Sequence, residues 1–158
     1  MLTIQPYTDA LAPAFHEINA AWIADMFTLE PHDEHVLSHP REAIIDRGGV
    51  ILFVQHPEHG VIGTGALMPT GGGAYELTKM GVRADVHGSG AGAVLLDALI
   101  ARARALPDIT ALYLLTNSRC AAAIHLYERA GFVHDADIRV RYGATYARCD
   151  VAMRYPLG

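Results

Sequence analysis

The stretch HGSGAGAVLLDALI, His87 to Ile100, decides how the rest of the chain is read. Three glycines fall within Gly88–Gly92 and lead straight into helix formers that continue to Leu106, where Pro107 stops them. A helix N-terminus leaves main-chain N–H groups without partners and carries a partial positive charge. Glycines let the chain turn tightly enough for several such N–H groups to converge on one anion. The stretch therefore reads as a loop that grips a diphosphate at the mouth of a long helix. Leu95, Leu96, Leu99, Ile100, Ala103 and Leu106 gather on one broad face of that helix. Its back holds only Val94, Ala98, Ala101 and Ala105, short enough to predict close packing by a second element.

Outward from the loop, further strands and helices can be placed. Upstream, AYELTKMGV (74–82) is strand-like, and Gly81 within it marks a bulge or a close approach to the main chain. VILFVQH (50–56) and VIGTGALM (61–68) are β-rich and joined by PEHG as a hairpin, with Gly71–Gly73 a tight loop. LTIQPY (2–7) is a short strand. Between Ala10 and Asp25, Leu11, Phe15, Ile18, Ala21 and Trp22 recur at helical spacing. LEPHDEHVLSHPREAIIDRGG (29–49) predicts one or two short helices ending at Gly48-Gly49. Downstream, ALYLLTN (111–117) is a strand and AAAIHLYERA (121–130) a helix capped by Gly131. FVHDADIRV (132–140) and CDVAMRYPL (149–157) are expected to be strands. The order predicts an α/β fold with a mixed sheet, antiparallel first and with a parallel crossover later.

The chain has 158 residues, 51% of them hydrophobic and 18% charged, which suits one domain over 1–158 with a real core. Its formal net charge of −5, from 12 basic and 17 acidic residues, argues against nucleic acid or an anionic membrane as partner. It is compatible with an amine substrate. The opening MLTIQPYTDA lacks a basic region followed by an apolar run, and no segment is apolar for long enough to span a bilayer. With no such signal, Cys120 and Cys149 are expected as reduced thiols in the cytoplasm.

Two families place glycines at this spacing before a helix. Gly88-x-Gly90-x-x-Ala93 formally matches the dinucleotide fingerprint, but in that fold the glycines follow directly on a strand, with an acid ending the next strand about 20 residues on. Here Arg83 to His87 separate strand from glycine, and the next strand ends in LLTN with no acid. The stretch MGVRADVHGSGAGAVLLDALI (80–100) instead resembles the acyl-CoA N-acyltransferase (GNAT) superfamily, whose signature is Arg/Gln-x-x-Gly-x-Gly/Ala opening a long helix. Gly90 and Gly92 hold the glycine positions, and His87 departs from the usual Arg or Gln. AAAIHLYERAGF resembles the superfamily's other motif, Ala-x-x-x-Tyr-x-x-x-Gly-Phe, at Ala123, Tyr127, Gly131 and Phe132. Cys120 departs from an Asn common there, and LLTNS, YELTKMGV and RCDVAM resemble a single-domain bacterial branch.

The resemblance implies a GNAT-like, mostly antiparallel twisted sheet of about seven strands with helices on both faces. It implies a cytoplasmic N-acetyltransferase that moves an acetyl group from acetyl-CoA to a primary amine, small molecule or peptide, by direct attack. Main-chain N–H groups of Gly88, Gly90, Gly92 and Ala93, beside His87, would hold the pyrophosphate. Met80 and Val82 would pair with the pantetheine amides as an added strand, and a bulge near Gly81 would free an N–H for the thioester oxygen. Tyr127 would donate to the departing sulfur. Asn117 either holds a pantetheine carbonyl or caps the next helix.

An alkyl ammonium has a pKa near 10, so a base is needed, and Glu76, an acid in an otherwise apolar strand, is the candidate. It is equally readable as a strand residue paired with Lys79. The early helices of the superfamily line the acceptor pocket, which singles out Trp22, Phe27, Glu30, His32 and Asp33, with Tyr142 and Tyr146 closing the far side. Core packing competes for Trp22. His32/His35 and His56/His59 have metal-like spacing but sit in a charged helix start and a turn, so no metal is expected. Oligomeric state stays open, a homodimer included. Two other functions remain: a non-catalytic acetyl-CoA sensor and a dinucleotide-dependent oxidoreductase.

Overall fold

The computed structural model describes residues 1–158. In chain order its elements are β1 (Thr3–Pro6), α1 (Ala12–Met26), α2 (Pro31–Ser38), α3 (Pro40–Ala43), β2 (Val50–His56), β3 (Gly60–Gly71) and β4 (Ala74–Val82). Then come α4 (Ala91–Arg104), β5 (Ala111–Thr116), α5 (Ala121–Ala130), β6 (Val133–His134), α6 (Ala136–Tyr142) and β7 (Val151–Tyr155). The strands form one seven-stranded sheet in the order β1-β2-β3-β4-β5-β7-β6, antiparallel throughout except between β4 and β5. The parallel pair is where α4 crosses over, as a parallel connection requires. No helix is long and apolar enough to cross a membrane.

Helices cover both faces, so the central strands are buried on both sides. That explains the unbroken apolar run Val50–Val54, every residue of which is buried. Phe15, Ile23, Val36, Leu37 and Ile44 pack with Ile51 and Phe53 on the α1–α3 face. Leu95, Leu96, Leu99 and Ala103 of α4 pack with Leu52, Leu77 and Leu114 on the other, joined by Tyr127 and Phe132. The back of α4 is not covered. Val94 is 37% exposed, Ala101 and Ala105 face solvent, and α5 comes close at Gly92, where a Cβ would lie 3.3 Å from Leu126.

Two further expectations are corrected. FVHDADIRV is not one strand: only Val133 and His134 pair, with β7. The Asp135 carboxylate then accepts the N–H groups of Asp137 and Ile138 at 2.9 and 3.2 Å and starts α6. The alternation of Ile138 and Val140 looks strand-like, yet Val140 is 87% exposed on a helix. The bulge in β4 is also not at Gly81. Thr64 pairs with Gly81 and Ala66 with Thr78, so Lys79 and Met80 together oppose Gly65. Lys79 carries the deviation at φ +52°, a left-handed conformation costly for a residue with a Cβ. Gly81 is needed for the second reason foreseen, close approach. A Cβ there would fall 2.4 Å from Trp22 Cδ1, and Trp22 is held by Nε1 donating to Asn19 Oδ1 at 2.9 Å.

Candidate active site

β4 and β5 pair only through Ala74–Glu76 with Ala111–Tyr113. Beyond that point they diverge, and the edge of Leu77–Val82 facing β5 has no strand partner. The result is a cleft of about 530 Å³ lined from both layers. The glycine loop, the start of α5 and Tyr127 approach it on the α4–α5 side. Trp22, Phe27, Tyr146 and Arg148 approach it on the α1–α2 side.

The loop is shaped by glycine. Gly88 and Gly90 stand at φ +89° and +84°, and Gly90 is the residue that caps α4. The N–H groups of Gly88, Gly90, Gly92 and Ala93 donate to no acceptor in the chain, whereas that of Val94 reaches the Gly90 carbonyl. His87 Nε2 donates to the Val82 carbonyl at 3.2 Å, which ties the loop to the end of β4 and already occupies that carbonyl. At the start of α5, Cys120 lines the cleft with no side-chain cap. Asn117 does not cap α5. Its Nδ2 donates to the Arg148 carbonyl at 2.7 Å and its Oδ1 accepts the Arg119 N–H at 2.9 Å, so it fastens the β5–α5 turn.

Opposite the loop lies a buried polar network. Tyr146, 4% exposed, donates its hydroxyl to Glu76 Oε2 at 3.1 Å and accepts from Lys79 Nζ at 3.1 Å, with the Thr78 hydroxyl 3.2 Å away. Lys79 Nζ also donates to Asp33 Oδ1 at 2.9 Å. Arg148 grips both oxygens of Asp33, at 2.7 and 2.8 Å, and reaches Glu30 at 3.2 Å. Burial pushes the Glu76 carboxyl up, only partly opposed by Lys79 and by hydrogen bonds from Tyr146 and Thr78. Burial pushes Lys79 down against the pull of Asp33, and raises the Tyr146 phenol well above its usual value. For Asp33 burial acts upward too, but Arg148, Lys79 and the Glu30 N–H outweigh it and hold the carboxyl well below the usual carboxylate range.

The structure separates residues that the sequence grouped together. Trp22, Phe27 and Tyr146 line the cleft. Asp33 does not: it is fully buried and spends its oxygens on Lys79, Arg148 and the Glu30 N–H. Glu30 anchors Arg148 and the Ala147 N–H. His32 and Tyr142 face a second cavity of about 360 Å³ beside Glu76, and Tyr142 stacks on Tyr113 with ring centroids 4.1 Å apart. Glu76 opens toward that cavity and meets the cleft through Tyr146. Its direct partner is Tyr146, not Lys79. No three His, Cys, Asp or Glu side chains cluster so as to hold a metal ion. Arg119, Lys79 and Arg148 went unmarked in the sequence as site residues. Lys79 alone had a signal, a charge inside a buried strand.

A twisted sheet split between two parallel strands, with a glycine loop and helix mouth at the split, is the architecture of an acyl-CoA-dependent acyltransferase. Residues 13–132 match the model of the acetyltransferase (GNAT) family, and the chain belongs to that family as an acetyl-CoA-dependent acyltransferase. It is similar to a GNAT-family acetyltransferase of Staphylococcus aureus Mu50, at 18% identity and TM-score 0.86 over 100% of both chains. It is also similar to a candidate acyl-CoA N-acyltransferase of Klebsiella pneumoniae, at 27% identity and TM-score 0.67 over 100% of this chain and 99% of that one. A spermidine N-acetyltransferase of Vibrio cholerae, solved with CoA and spermine, is similar at 18% identity and TM-score 0.64 over 85% and 82%. No curated protein matches the sequence.

Proposed function

We propose that the chain transfers an acetyl group from acetyl-CoA to a primary amine by direct attack while both substrates are bound. The observation that carries this is the cleft itself: unpaired loop N–H groups at one wall and a buried carboxylate relay at the other. The N–H groups of Gly88, Gly90, Gly92 and Ala93 suit a pyrophosphate. The unpaired edge of β4 suits the pantetheine amides through Met80 and the N–H of Val82, since the Val82 carbonyl is taken by His87. The Lys79–Met80 bulge interrupts the β3 ladder beside the cleft, which suits a main-chain N–H there to the thioester oxygen.

The amine must lose a proton as it attacks. Tyr146 faces the cleft and hands its own proton to Glu76 as it takes the amine's, so Glu76 is the base and Tyr146 the relay. A free tyrosinate is disfavoured by burial, which makes the two transfers concerted, with Lys79 steadying the charge that develops on the phenol oxygen. Thiol release from acetyl-CoA that begins only when an amine is added is the expected result. Binding of the carrier with no thiol release under any amine would make the chain a sensor.

The relay also sets a pH dependence. Glu76 must be ionised to accept the proton, and its pKa is raised, so activity climbs as pH rises through that raised value. Glu76→Gln should lower kcat about 100-fold near neutral pH, where the amine is protonated, and lose much less near pH ~10, where the amine is already neutral. A parallel profile, lower by one factor at every pH, removes Glu76 as base.

A further inference from the structure

No Asp or Glu lines the cleft; the charged side chains that do are Lys79, Arg119 and Arg148. Lys79 and Arg148 are neutralised from behind by Asp33 and Glu30. Arg119 has no carboxylate partner. One of its N–H groups donates to the Met26 carbonyl at the end of α1, at 2.8 Å, and its guanidinium lies 5.1 Å from the Phe27 ring centroid. Arg148 lies 5.7 Å from the same ring and 4.7 Å from that of Tyr146. The two guanidiniums therefore share the Phe27 ring, and Arg148 also lies over Tyr146.

We infer that the acceptor is an amine that carries its own carboxylate, a free amino acid, and that Arg119, assisted by Arg148, recognises that carboxylate. This rests on the acetyltransferase reading and narrows its substrate. Arg119 keeps N–H donors free in the planar geometry that pairs with a carboxylate. An amino acid bound there sets its anion against Arg119 and leaves its amino group to reach Tyr146. A polyamine would bring a second positive charge into a cleft that offers it cations and no carboxylate. This chain thus departs from the spermidine enzyme whose fold it shares.

The test is a thiol-release screen of the free amino acids, followed by the carboxamide and the decarboxylated amine of whichever reacts best, with spermidine alongside. The acid should exceed its amide and its decarboxylated amine about tenfold or more in kcat/KM, a charge-assisted hydrogen bond's worth, with spermidine slowest. Arg119→Gln should raise the acceptor KM about tenfold, shrink the gap between acid and amide, and leave the acetyl-CoA KM unchanged. Equal rates for acid and amide, or a preference for spermidine, overturn the inference while the acetyltransferase stands. An Arg119→Gln loss that falls on the acetyl-CoA KM assigns the arginine to the carrier and overturns it too. No thiol release with any amine removes the enzyme reading and the inference together.

Discussion

Replacing Tyr127 by Phe is expected to lower kcat about 100-fold while the acetyl-CoA dissociation constant stays within about twofold of wild type. The ring packs edge-on against Phe132, centroids 5.9 Å apart, and phenylalanine keeps that contact. What is lost is a hydroxyl that lines the cleft and bonds to nothing in the chain. Burial raises its pKa far above the value of about 8.5 typical of a thiol. The phenol therefore stays protonated, and in the proposed reaction it would stabilise the departing thiolate as a hydrogen-bond donor more readily than surrender its proton. Such a bond forms only as charge develops on sulfur, so its loss appears in turnover and not in binding. Stopped-flow thiol release and calorimetric titration of acetyl-CoA separate the two. Equal loss of both would leave Tyr127 a packing residue.

Asp33→Ala carries the largest expected cost in stability, about 3–5 kcal/mol, read as a fall in chemical-denaturation midpoint. Asp33 is fully buried and neutralises Lys79 and Arg148 at once, so alanine leaves two cations in a poorly solvated interior, Arg148 paired with Glu30 alone and Lys79 with no carboxylate in contact. The sign with pH follows from the depressed carboxyl. Its stabilisation is complete above the unfolded value of about 4 and fades as pH falls below it toward the folded value. The gap between wild type and Asp33→Ala should thus narrow on acidification. A gap of under about 1 kcal/mol at neutral pH would show that the network is solvated and that Asp33 does not hold it. The same change frees the ammonium that anchors Lys79 at φ +52°, so the β4 bulge and activity should suffer together.

Much of this was readable in one dimension. The glycine loop and α4 announce themselves because positive φ and helix periodicity are local properties of a short segment. Tyr127, Gly131 and Phe132 lie on one helix end and meet through local geometry, as the Phe132 N–H bonding to the Tyr127 carbonyl at 3.0 Å shows. Val133–Val140 was misread because an N-cap aspartate outweighed an alternation that continued for only a few residues. Asp33 is expected in the acceptor pocket and is instead buried behind it, since nothing near it in the chain reveals that Arg148 will arrive.

Read alone, the chain already yields the sheet, its helices on both faces, the glycine turn before α4 and the tyrosine on α5. Each is written in spacings of a few residues. The position of the β4 bulge, the hydrogen bond from Tyr146 to Glu76 and the gathering of Lys79, Arg119 and Arg148 at the cleft emerge only once the chain is folded. Those features join residues as far apart as Asp33 and Arg148, 115 positions away, and a buried charge is stable only when such partners converge.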